Sequence, residues 1–156
     1  MSIKITGIKE SVRTFRRIES LLKSKEPMEG VIEDVKKRIE ERTAAGKDYR
    51  GRRFDPYSEA YAKRKKKTRV DLRDSGLMLE SLTTKVINPR HGRVFIKPAK
   101  YSRKKGKART DMVAQIHTTG SGKQPHREFV NITNNALNEM VKKHYDDRIL
   151  RILGRA

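Results

Sequence analysis

The 156-residue chain contains no cysteine. That excludes disulfide staples, thiol catalysis and cysteine-based zinc sites. It also lacks an apolar run of the roughly 20 residues that a membrane-spanning helix needs. The first ten residues, MSIKITGIKE, have no apolar signal core, so a cytoplasmic protein, or a particle built there, is expected. No glycine-rich phosphate loop is present, and His91, His117, His126 and His144 lack zinc-finger spacing. No internal repeat is visible. Apolar residues are scarce too, at 34% against 37% charged. Such a chain has either a small core with extended basic arms or a core completed by neighbouring subunits.

Positive charge is in excess. Thirty-nine Lys and Arg against 19 Asp and Glu give a formal net charge of +20. Such a balance repels itself in a monomer and favours a polyanionic partner, most often nucleic acid. Two runs concentrate it. The first, at about 63–69, holds Lys63, Arg64, Lys65, Lys66, Lys67 and Arg69. The second, at about 100–109, holds Lys100, Arg103, Lys104, Lys105, Lys107 and Arg109. A block of like charge is expected to be solvated or to face a polyanion. The first run is not interleaved with aromatics for base stacking, so any nucleic-acid contact it makes is expected to be with phosphate and blind to sequence.

Residues 2–6 alternate as a short strand would, and Gly7 breaks it. Ile8, Val12, Phe15, Ile18 and Leu22 then recur at helical spacing, predicting an amphipathic, core-facing helix to about Lys23. Pro27 opens a second helix, with Ile32, Val35 and Ile39 on one face. Glu33 with Lys37 and Asp34 with Arg38 are i,i+4 pairs in the favourable order. This helix ends near Ala45 and Gly46. Asp55 and Pro56 read as N-cap and first residue of a third helix. Residues 83–87 and 93–97 form a hairpin about a turn at 88–92. Asp111 reads as the cap of a short helix carrying Met112, Val113 and Ile116. Thr133 caps a long C-terminal one, stapled by Ile132 and Leu137 and striped by Met140, Tyr145, Ile149 and Ile152, up to Gly154.

Residues 43–61 carry the densest local pattern. Gly46, Asp48, Gly51, Phe54, Pro56, Ser58 and Lys63 stand where the phage virion morphogenesis family has its helix-ending Gly, Asp, second Gly, aromatic, Pro, small polar residue and Lys. Phe54 stands where many members have Trp. A second block holds Leu72, Ser75, Gly76, Met78, Ser81 and Leu82, with Met78 replacing a Leu. A third holds Ala114, Ile116, His117 and Gly120, with Thr118 replacing a Gln. A fourth is a Pro, Arg and aromatic element at Pro125, Arg127 and Phe129. Over about 46–133 the chain therefore resembles the tail-completion, neck or head-tail joining proteins of tailed bacteriophages.

The resemblance implies one α+β domain over 1–156. Amphipathic N-terminal helices and a long C-terminal helix would pack on a small antiparallel sheet, with basic loops. It also implies a virion protein that closes a homo-oligomeric ring, commonly a hexamer, around the DNA channel. Its partners would be other neck, connector or tail-tube proteins and the double-stranded DNA. It would reside in the phage neck or tail, and in host cytoplasm during assembly. Gly46, Gly51, Phe54, Pro56, Gly76, His117, Gly120, Arg127 and Phe129 are expected as structural anchors. No cofactor, metal or membrane is expected. Asp71, Asp74 and Glu80 lack the rest of a ligand set. Nor is an enzyme expected, because no nucleophile with an orienting acid accompanies His117 in sequence. The alternative is a free, sequence-nonspecific nucleic-acid-binding protein.

Overall fold

The computed structural model describes residues 7–66, 69–101, 108–121 and 124–154. The strand expected at 2–6 lies outside them. The fold is α+β. Its element order is α1 (Ile8–Lys23), α2 (Glu26–Ala44), α3 (Glu59–Lys65), α4 (Leu77–Glu80), β1 (Leu82–Asn88), β2 (His91–Ile96), α5 (Thr110–Thr119), α6 (Asn134–Val141) and α7 (Asp147–Ile152). A π-helical turn, Lys142–Asp146, joins α6 to α7.

Helix α2 is the axis of the molecule. Val31, Ile32, Val35 and Ile39 are buried on it at three- and four-residue steps, as a core-facing stripe requires. It packs on both strands of the antiparallel hairpin and on α6. Pro27 sits in its first turn, where a missing N–H costs nothing. The hairpin lies close against the helix because Gly92 has no side chain. A Cβ there would come within 2.4 Å of Ile32 Cγ2. The C-terminal helical segment reaches the hairpin turn as well, where the Tyr145 hydroxyl donates to Pro89 O at 2.6 Å.

The π turn has its cause in α2. A Cβ at Gly30 would stand 2.3 Å from the His144 ring, so the ring occupies the space that α2 leaves there. His144 Nε2 lies 2.8 Å from Asp34 Oδ2, and Lys143 Nζ donates to the same oxygen at 2.7 Å. The backbone widens by one residue to aim both at Asp34. Asp34 is thereby taken across helices rather than by Arg38. Glu33 accepts from Thr84 Oγ1 instead of pairing with Lys37, which sits 3.9 Å from Glu41. Cross-element partners displaced both expected i,i+4 pairs.

Two further expectations are corrected. Helix α3 starts at Glu59 with Ser58 before it, so Asp55 and Pro56 are not its cap and first turn. Their carbonyls accept from Arg127 instead of entering the helix. Helix α1 spans the predicted residues but is not core-facing. None of its residues is buried, and Ile8, Val12, Phe15 and Leu22 are exposed. Only Ile18 and Leu21, with Thr14, are half-covered. Thr133 caps α6 as expected, its side chain accepting from Ala136 N.

Candidate functional site: basic surface and tyrosine-lined cleft

The first basic run does not present one face. Lys63 and Lys66 are exposed, and Arg69 is exposed beside Gly46. Arg64 lies over the Tyr61 ring, 4.8 Å from its centroid. Lys65 is different, and its assignment to the nucleic-acid-facing set is corrected. Its side chain is only 9% exposed and its Nζ is 2.9 Å from Asp71 Oδ1, itself 10% exposed. The same ammonium donates to Tyr57 Oη at 3.2 Å and lies over the Tyr57 ring. Burial alone would lower its pKa, but the hydrogen bonds with Asp71 and Tyr57 outweigh it and raise it. Two turns of helix place every third or fourth residue inward, so a run of cations on a helix cannot all be solvated. Lys67, Arg103, Lys104, Lys105 and Lys107 lie outside the described residues.

Of the expected anchors, Pro56, Gly76, His117 and Arg127 line one cleft, and the others are spread along the chain's loops and core. Gly46 is buried with φ of 75°, and a Cβ would meet Val70 O at 2.9 Å, so only glycine fits. Gly51 also has positive φ but faces open space. Between them Asp48 accepts from Arg50 N, Arg52 N and Arg52 Nε, each at 2.9 Å. This is the local Asp-to-backbone turn that ties the loop. Phe54 is buried in the core cluster, and Phe129 is fully buried. Pro56 is exposed, and its anchoring role passes through its carbonyl. Gly76 and Gly120 have positive φ at the start of α4 and the end of α5.

Two guanidiniums hold the irregular segment that carries Phe129. Arg42, in the last turn of α2, donates to Phe129 O at 2.6 Å and also to Asn131 O. Burial, and secondly the charge of Arg38, lower its pKa to about 10. Arg127 is 2% exposed. Its Nε and Nη2 donate to Asp55 O at 3.1 and 2.9 Å, and Nη2 to Pro56 O at 3.0 Å. Its charge stands over the Tyr57 ring at 5.4 Å. Sequence reasoning missed Arg42, because an Arg in a last turn reads equally as a partner for the helix dipole. It also missed Thr110, fully buried. The Thr110 hydroxyl donates to Lys97 O at 2.7 Å and accepts from Ala99 N at 2.8 Å, joining the hairpin's exit to α5.

These elements enclose a cleft of about 460 Å³. Tyr57, Tyr61 and Tyr101 line it, with Leu72, Met78, Val113 and Ile116 as apolar wall and Arg127 and His117 beside them. Asp74 and Arg64 are its exposed charged residues. Burial, then Asp74, raises the Tyr61 and Tyr101 hydroxyls, so these two stay neutral at ordinary pH. His117 is pushed down to about 4, first by burial and then by the Arg127 charge. Its Nδ1 is buried without a hydrogen-bond partner. An imidazole with that pKa is a weak base at neutral pH. Among the described residues no group of three or more His, Asp or Glu could hold a metal ion. Among them, too, no helix is long and apolar enough to cross a membrane. No family model, curated protein or solved structure matches this chain.

Proposed function

We propose that the protein is a structural virion component of a tailed phage, a neck or tail-completion subunit that forms a ring around the DNA channel at the head–tail junction. The observation that carries the building-block part of this reading is α1. It is a 16-residue helix with no buried residue. Ile8, Phe15 and Leu22 lie seven residues apart, with Val12 between, and are 59, 69, 45 and 43% exposed in the order Ile8, Phe15, Leu22, Val12. That spacing is the seam of a helix meant to pack on another helix. A sister copy supplies the cover. Lys9, Arg16 and Lys23 each follow a seam residue, so a symmetric antiparallel α1 pair would bring like charges together. The contact is therefore between different faces of adjacent copies, the arrangement that closes rings.

The phage part of the reading rests on the resemblance at Gly46, Asp48, Gly51, Phe54, Gly76, His117, Gly120, Arg127 and Phe129. Of these, Gly76, His117 and Arg127 line the same cleft. The net charge of +20 suits a channel in which DNA slides without being read. The ring is proposed as a hexamer, in contact with other neck, connector or tail-tube proteins. Its place is the virion.

The rival reading is a free, sequence-nonspecific nucleic-acid-binding protein, favoured by the same charge. Mass measurement combined with duplex-DNA titration at several salt concentrations separates the two. A ring with weak binding and a shallow salt slope supports the proposal. A monomer that binds tightly, with affinity falling steeply as salt rises, supports the rival.

A further inference from the structure

The cleft beside α5 has an unusual charge arrangement. Arg127 is almost wholly buried, and among the described residues no carboxylate lies within salt-bridge distance of it. A guanidinium offers five N–H donors. The carbonyls of Asp55 and Pro56 take those of Nε and Nη2, and no described group takes Nη1. Beside it, the Tyr57 hydroxyl accepts from Lys65, and a phenol is also a donor group. The adjoining wall is aliphatic. A buried cation with spare donors, next to an apolar surface, is complementary to a carboxylate that carries an apolar side chain.

We propose that this cleft binds the C-terminal residue of a partner polypeptide, its carboxylate on Arg127 and Tyr57 and its aliphatic side chain against Met78, Val113 and Ile116. The occupant is a chain terminus rather than an acidic side chain, because carboxylate and aliphatic group must come from one residue. Nucleic-acid phosphate fits less well. Asp74 stands exposed at the same cleft and repels a multiply charged backbone, and the guanidinium is too deeply placed for a duplex to reach. The site is independent of the α1 seam, and its failure would leave the ring proposal standing.

The test uses three probes on the full chain: N-acetyl-Ala-Ala-Leu with a free carboxylate, the same tripeptide as its C-terminal amide, and N-acetyl-aspartic acid α-amide. With no Trp in the chain, the readout is the NMR signals of the labelled tyrosine rings and of His117. The free acid should saturate shifts of Tyr57, Tyr61 and His117, and should bind at least about tenfold tighter than either other probe. Asp74→Asn, an exposed change that should fold normally, should tighten the free acid about threefold by removing a like charge. Arg127→Lys should abolish the preference for acid over amide, provided its thermal unfolding remains cooperative. Equal binding of acid and amide overturns the proposal, as does the aspartate probe binding as well as the tripeptide. So does an absence of saturable shifts up to about 20 mM, weaker than any useful docking affinity, or an Asp74→Asn protein indistinguishable from the parent.

Discussion

Single residues divide this chain's cations into two kinds. Lys63 sits in solvent, whereas Lys65 two residues on is held between Asp71 and two tyrosine rings. Lys65→Ala should therefore destabilise the fold by about 2–3 kcal/mol, because it removes the ammonium paired with a mostly buried carboxylate. Lys63→Ala should change it by less than about 0.5 kcal/mol. Urea titration of both variants checks the contrast. His117 supplies a pH effect. Its pKa is lowered from 6.5 to about 4 on folding, so between those values the unfolded chain binds the proton and the folded one does not. Stability is thus complete above about pH 6.5 and falls as the pH drops toward 4. The loss from this residue is at most about 3 kcal/mol, and smaller with partial solvent access. Comparing His117→Gln with the parent at pH 7.5 and pH 5 should show a smaller loss in the variant. The residue types at these positions were readable in sequence. Which lysine turns inward was not, since that depends on Asp71, across a turn outside α3.

Elements were read well where their cause is local. The span of α1, the Pro27 start of α2, the hairpin and the Thr133 cap all follow from spacing and capping chemistry. Elements were misread where a distant group intervened. The start of α3 moved because Arg127, some 70 residues on, takes the carbonyls of Asp55 and Pro56. The π turn has no sequence period of its own. It exists because Gly30 leaves room for His144 and Asp34 draws in Lys143 and His144. Gly30→Ala should close that space. A cost of about 1–3 kcal/mol is expected from overpacking, together with altered His144 ring signals. A stable variant with unchanged His144 signals would show that the turn does not need the glycine.

At the scale of the molecule, the proposed function gives the low apolar content and the exposed α1 one explanation. On that proposal the chain retains a core around α2 and leaves a helical seam for a neighbour. The periodicity of α1 was legible in sequence. Its exposure was not, because an amphipathic stripe looks the same whether its cover is in the chain or in another copy. The anchor residues were likewise legible as types, while the cleft that Pro56, Gly76, His117 and Arg127 help line arises only when α3, α4, α5 and their flanking loops meet. The most direct test is sedimentation velocity of the parent and of Phe15→Glu under native salt. Because Phe15 is 69% exposed, the substitution should leave the unfolding midpoint almost unchanged. The account predicts a closed oligomer for the parent and a monomer for Phe15→Glu. A parent that sediments as a monomer at every concentration, or an oligomer that Phe15→Glu leaves intact, would contradict it.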